Sequence, residues 1–208
     1  VDILAAGNRA IVKPSELAPH CAELVRQAVA ENFQPDHVHV VTGGVQLAEV
    51  FTRLPWDHLI YTGNPTVARK VLAAAAENLV PVTLELGGKC PTLIAPDRVN
   101  EDSLAEVLSI KAVKSGQVCI NTDYLLVPRA ELERTVTTLQ SLWARMFPSF
   151  VASESATGII DRRHFTRLQG YLTEAQARGV RVVQLGHEAA DLERRVLPLS
   201  LVVDPPDD

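Results

Sequence analysis

The sequence predicts an α/β protein in which short strands alternate with helices along the whole chain. Three observations carry that expectation. Brief β-branched runs are separated by longer stretches with helical apolar spacing. In the first half the runs stop at or near a glycine or proline, as βαβ units do. The 208 residues are 47% hydrophobic and only 22% charged, enough to bury a substantial core.

Val1 to Asn8 reads as the tail of a helix closing at Gly7. Ala10-Ile11-Val12 is a short strand ended by Lys13-Pro14-Ser15-Glu16, and Leu17 to Asn32 carries Cys21, Leu24, Val25, Ala28 and Val29 on one helical stripe. Val38 to Thr42 is the next strand and stops at Gly43-Gly44; a helix through Leu47 and Phe51 follows. His58 to Thr62 is a third strand before Gly63, Asn64 to Asn78 is an alanine-rich helix, and Val82 to Leu84 delivers Glu85. Crossovers of this kind are right-handed and give a parallel sheet, whose ligands bind at the carboxyl ends of the strands. Those ends hold Lys13 to Glu16, Gly43-Gly44, Gly63-Asn64 and Glu85, although no G-x-G-x-x-G is present.

The second half repeats the alternation. Strands are expected at Pro91 to Ala95, Asp123 to Pro128, Val180 to Leu185 and Val196 to Val203, and helices at Glu101 to Ser115, Ala130 to Phe147 and Arg162 to Arg178. Gly87-Gly88 reads as a hinge between two layers, dividing the chain at 84/85. The chain then runs into Asp204-Pro205-Pro206-Asp207-Asp208, and both ends read as cut.

Composition narrows the function. Twenty basic against 25 acidic side chains give −5 with no long run of either sign, which argues against nucleic acid or an anionic membrane as partner. The three cysteines are widely spaced, without C-x-x-C, and point to a reducing cytoplasm rather than a disulfide framework. No apolar run spans a bilayer. The six histidines contain no H-E-x-x-H, so a metal site is not expected.

The chemistry concentrates in Glu85-Leu86-Gly87-Gly88-Lys89 and Ser115-Gly116-Gln117-Val118-Cys119. A carboxylate beside a flexible bend and a thiol after a small-residue turn supply a base and a nucleophile, and exposed N–H groups of such a turn stabilise a thiolate and an oxyanion. The residues alone leave plainer readings open. Free cysteines commonly pack as small hydrophobes, turn carboxylates are commonly just solvated, and Lys13 with Glu16 fits a surface pair flanking a proline.

Four strings, in this order, resemble the central signatures of the aldehyde dehydrogenase superfamily. They are Gly7-Asn8-Arg9-Ala10-Ile11-Val12-Lys13-Pro14-Ser15-Glu16, Tyr61-Thr62-Gly63-Asn64, Glu85-Leu86-Gly87-Gly88-Lys89 and Gly116-Gln117-Val118-Cys119. The resemblance covers essentially the whole chain. Asp57 to Tyr61, Glu77 to Thr83 and Cys119 to Tyr124 look most like the branch holding coniferyl aldehyde dehydrogenases and the class 3 and fatty aldehyde dehydrogenases. It implies an incomplete Rossmann-like parallel-sheet cofactor domain over 1–84, followed by a truncated α/β catalytic domain over 85–208.

The implied roles follow motif by motif. Lys13 and Glu16 bind the adenosine ribose of NAD or NADP, and Gly63 and Asn64 lie over the pyrophosphate. Here Asn64 stands for the usual serine and Ala68 for a frequent glycine. Glu16 disfavours a 2′-phosphate by charge, yet members of this branch often tolerate NADP. Glu85 is the general base and Cys119 the nucleophile that oxidises an aromatic or long aliphatic aldehyde through a thiohemiacetal and a thioester. Lys114 replaces an asparagine common before this turn. A homodimer or tetramer is implied for the full-length enzyme.

Two family segments are missing: an upstream Pro-Trp-Asn, whose asparagine serves the oxyanion hole, and a downstream Glu-x-Phe-Gly-Pro, which holds the nicotinamide ribose. The chain is therefore expected to be an internal piece of a longer enzyme. Two rival readings stand beside it: an inactive or scaffold fragment, and a cofactor-free cysteine hydrolase using Glu85, Lys89 and Cys119.

Overall fold

A computed structural model describes residues 2–206; Val1, Asp207 and Asp208, at the outer edges of the two terminal segments, lie outside the described residues. The chain divides into two compact units, Val1–Leu86 and Gly87–Asp208. The first runs through Leu86 because Glu85 and Leu86 are laddered to Thr62 and Gly63. Among the described residues no helix is long and apolar enough to cross a membrane, and no group of three or more His, Cys, Asp or Glu could hold a metal ion.

In the first unit a single turn, α1 (Asp2–Ala5), stops before Gly7, whose φ of 78° is the left-handed conformation glycine adopts freely. β1 (Ala10–Val12) then pairs in parallel with β2 (Val38–Val40), and α2 (Pro19–Asn32) makes the crossover. Pro19 opens α2, where its missing N–H leaves no helical bond unmade. α3 (Val45–Phe51) leads to a second unit of the same kind: β3 (Leu59–Gly63), α4 (Pro65–Ala76) and β4 (Val82–Leu86), with β3 parallel to β4 from Leu59↔Val82 to Gly63↔Leu86. The alanines of α4 let it lie close: Ala68, Val71, Ala74 and Ala75 are buried, and Leu59, Val71, Ala75 and Val80 form a core against Phe51, Trp56, Tyr61 and Val82. The expected parallel strands are present as two separate pairs, each closed by its own crossover helix.

In the second unit β5 (Cys90–Leu93) and β6 (Thr122–Leu126) pair in parallel across α5 (Glu101–Ala112). α6 (Leu132–Met146) lies just inside the expected Ala130 to Phe147, and α7 (Arg162–Ala177) begins where expected and ends one residue before Arg178. The last strands, β7 (Arg181–Gln184) and β8 (Ser200–Val203), are antiparallel, because no helix lies between them to return the chain to the same end. The core gathers Leu104, Leu108, Leu139, Leu142, Trp143 and Val196, with the rings of Phe147 and Phe150 centred 4.6 and 5.0 Å from that of Trp143.

Candidate functional site

In the first unit the carboxyl end of β1 presents Lys13. Its ammonium donates to a Glu16 carboxylate oxygen at 2.8 Å and to the carbonyl of Pro14 at 3.1 Å. The lysine side chain is 10% exposed and that of Glu16 is 42%, so the cation is a buried brace and the carboxylate the accessible partner. The hydrogen bond from Lys13 holds the Glu16 carboxyl below the usual carboxylate range. Pro14, Ser15, Glu16, Pro19, Ala22, Glu23, Thr42 and Gly43 line a cleft of about 250 Å³ here. The ends of β1 and β2 thus share one depression.

Gly63 ends β3 and Asn64 caps α4, its Oδ1 accepting from the N–H of Val67 at 2.9 Å. The Tyr61 ring folds over Gly63 so closely that a Cβ there would collide with the phenol. Burial pushes the Tyr61 phenol up; the Glu16 carboxylate adds to the shift and the Asn64 N–H opposes it, so these three groups form one neighbourhood.

Glu85 is exposed and lies inside β4, opposite Thr62, not on the Gly87-Gly88 bend. Its backbone is laddered to β3, and its carboxylate is aimed by its own side-chain torsions.

Cys119 sits in the second unit at the end of a strained connection. After α5, Lys114, Ser115 and Gly116 have φ of 49°, 51° and 78°, three left-handed residues in succession. Only the glycine adopts this at no cost. Gln117 (φ −83°, ψ 56°) follows at the centre of an inverse γ-turn, with the N–H of Val118 donating to Gly116 at 2.9 Å. A β-turn comes next, closed by the N–H of Asn121 to the carbonyl of Val118 at 3.0 Å, with Cys119 and Ile120 as its two central residues. The N–H groups of Cys119 and Ile120 have no partner among the described residues, which leaves two donors beside an exposed thiol. A developing oxyanion or a thiolate is what such donors stabilise.

Other side chains hold this turn, and the sequence reading did not assign them roles. The thiol of Cys90 contacts the Cys119 carbonyl oxygen at 3.3 Å. Buried Asn121 donates to the carbonyl of Ile110 at 2.8 Å, taking up an end carbonyl of α5. Lys111 donates to Thr122 at 2.7 Å; burial lowers its ammonium pKa, which Asp123 opposes and Lys89 reinforces. The ladder slips between Cys90 and Pro91, so that Cys90 faces Thr122 and Pro91 faces Tyr124. Asp123 is the extra residue of that bulge and forms a 2.6 Å ion pair with Lys89. Pro91 has no N–H to give the ladder, and it was the one legible sign of the bulge. Glu85 belongs to the first unit and Cys119 to the second, so the structure describes each in its own setting.

The chain has relatives among known proteins and solved structures. A family model described as "Aldehyde dehydrogenase family" matches residues 1–206. A probable coniferyl aldehyde dehydrogenase of Caulobacter vibrioides is 39% identical over 99% of this chain and 43% of its own length. The coniferyl aldehyde dehydrogenase of a Pseudomonas species is 40% identical over 96% of this chain and 42% of its own. A substrate-bound Staphylococcus aureus AldH superposes with a TM-score of 0.85 at 32% identity, over 96% of this chain and 43% of that one. An NAD+ complex of a Mycobacterium tuberculosis aldehyde dehydrogenase does so with a TM-score of 0.71 at 28% identity, over 89% and 39%. The chain thus spans a little over two fifths of the length of the coniferyl relatives it matches. On sequence and on fold alike, it belongs to the aldehyde dehydrogenase family.

Proposed function

We propose that the whole protein oxidises an aldehyde to the carboxylate with NAD or NADP, using Cys119 as nucleophile and Glu85 as general base. The observation that carries this reading is the β-turn that centres Cys119, exposed, beside two unpaired N–H groups, in a chain of this family. The thiolate adds to the aldehyde carbon and the turn's N–H groups take up the charge on oxygen. A nicotinamide dinucleotide, when bound, supplies the two-electron oxidant. The thioester left on Cys119 is opened by a water from which Glu85 removes a proton.

The cofactor reading assigns residues 1–84 to the dinucleotide and 85–208 to catalysis. The cleft at Glu16 fits a ribose: an ionised carboxylate braced by Lys13 accepts two hydroxyl donors at its open edge. Glu23, also on the cleft wall, is held by the Arg26 guanidinium at 2.6 Å, so it is Glu16 whose charge disfavours a 2′-phosphate and favours NAD. Gly63 and Asn64 are assigned to the pyrophosphate. With its Oδ1 committed to Val67, Asn64 still has its amide N–H₂ to donate. The names of the coniferyl relatives support an aromatic aldehyde, with long aliphatic aldehydes next. A soluble cytoplasmic homodimer or tetramer completes the proposal.

The rival hydrolase has less support, because Lys89, its cation, is held by Asp123. The test is to supply the whole protein with coniferyl aldehyde or octanal and follow reduced nicotinamide. C119A abolishes turnover, whereas E85Q gives one rapid equivalent and then stalls at the thioester. Turnover surviving C119A, or ester hydrolysis without cofactor, sinks the reading.

A further inference from the structure

We propose that Gln117 is a positioning residue that fixes the Cys119 turn against the segment 157–160. Within the second unit its amide makes three hydrogen bonds. Nε2 donates to the carbonyl of Lys114 at 2.9 Å and to that of Gly158 at 3.1 Å, and Oε1 accepts from the N–H of Ile160 at 2.9 Å. Both donor hydrogens and an acceptor site are therefore used, in the fixed plane of one amide.

The location makes this more than a loop contact. Gln117 lies between the left-handed run Lys114–Gly116 and the β-turn Val118–Asn121, so its backbone sets the direction in which Cys119 leaves. Left-handed lysine and serine are each intrinsically unfavourable and persist only where surrounding bonds hold them. The Gln117 amide supplies three of those bonds, one to the Lys114 carbonyl on one side and two to segment 157–160 on the other, and Ser115 adds a fourth through the carbonyl of Thr157. Segment 157–160 is itself held in place: the N–H of Ile159 donates to Arg195 at 2.8 Å, and the Arg195 guanidinium donates back to the carbonyl of Ile159 at 2.8 Å. The connection runs from Arg195 to Ile159, through its chain neighbours Gly158 and Ile160 to the Gln117 amide, and on to the turn whose two open N–H groups flank the thiol.

This inference rests on the proposed role of Cys119, and one set of measurements separates the two. In the whole protein, Q117M keeps the side-chain volume and removes all three bonds. It is compared with wild type for the pH profile of iodoacetamide alkylation at Cys119, located by peptide mapping, and for kcat, KM and Tm. The expected result is an alkylation profile displaced to higher pH, because the N–H groups are no longer aimed at the thiolate. With it comes a fall in kcat of about 10-fold or more, at a KM for aldehyde within about 3-fold.

An unchanged alkylation profile overturns the proposal, whatever happens to kcat. So does a loss of kcat that only follows the fraction of protein unfolded. A wild-type protein that oxidises no aldehyde defeats the enzymatic reading, while the alkylation comparison still decides the role of Gln117. Should Q117M fail to accumulate, Q117E reads the same quantity. Its carboxylate keeps the Ile160 bond but faces the Lys114 and Gly158 carbonyls with no proton to donate, and the same displacement is expected.

Discussion

The thiol of Cys90 lies 3.3 Å from the carbonyl oxygen of Cys119, and the Cα of Gly88 faces the same oxygen with no room for a side chain. A Cβ at position 88 would stand 2.7 Å from that oxygen and 3.0 Å from the Cys90 sulfur. Gly88 therefore does more than allow a bend: it lets the chain entering β5 approach the Cys119 turn closely. G88A is expected to push the turn away and to slow both Cys119 alkylation and aldehyde turnover by about 10- to 100-fold. C90S, whose hydroxyl donates to the same carbonyl, is expected to stay within about 2-fold of wild type, whereas C90V, which cannot donate, falls below it. Alkylation rates of the three variants check both statements.

Lys114 is a left-handed lysine, and asparagine tolerates that conformation better because its short amide bonds locally. K114N is expected to stabilise the second unit by several tenths of a kcal/mol up to about 1 kcal/mol. Urea unfolding with an unchanged m-value measures it. The resemblance marked this position as a departure; its left-handed dihedral angle favours asparagine over the lysine that stands there, and no spacing or composition in the sequence encodes that angle.

Glu16 supplies the pH prediction. Lys13 holds its folded-state pKa below the unfolded value, so the pair contributes stability that is fully present above the unfolded pKa and lost as pH falls through the folded one. Binding follows the same sign, since the ribose hydroxyls need an ionised acceptor. NAD affinity is expected to stay flat from neutrality down through the ordinary carboxylate range and to weaken only below it. K13A moves the onset upward. Isothermal titration at stepped pH shows whether the onset moves.

Asn64 tests which job its side chain does. N64A removes the α4 cap and is expected to cost about 1 kcal/mol of stability. N64D keeps the cap, so stability holds, but it replaces the amide donor by a charge and should weaken dinucleotide binding by about 10-fold or more. Thermal unfolding and cofactor titration of the same two variants separate the effects.

Much of the fold was legible in the sequence, for a stated reason. β-branched runs and helical stripes gave strands and helices at Ala10–Val12, Pro19–Asn32, Leu59–Gly63 and Pro65–Ala76 close to where they stand, because in these segments local propensity and burial agree. What pairs with what was harder. β7 and β8 run antiparallel because of what the connection lacks, and the ladder slip after Cys90 sets Pro91 opposite Tyr124 and leaves Asp123 as the extra residue between two partners. Of the candidate site, Cys119, Glu85, Lys13 and Gly63 were readable from motif strings. Two of the three partners of the Gln117 amide lie more than forty positions downstream in segment 157–160, and nothing in the local pattern around either stretch announces the other.

That separation has a consequence during synthesis. Each bond from Gln117 to Gly158 or Ile160 closes a loop of 41 to 43 residues, and the segment that receives it is held in turn by Arg195. Closing such a loop costs chain entropy that a single amide cannot repay by itself. On a ribosome moving from the amino end, the thiol emerges long before the residues that aim it. A nascent chain therefore carries Cys119 as an ordinary, unaimed thiol, and the turn acquires its direction only when the last strands of the unit arrive.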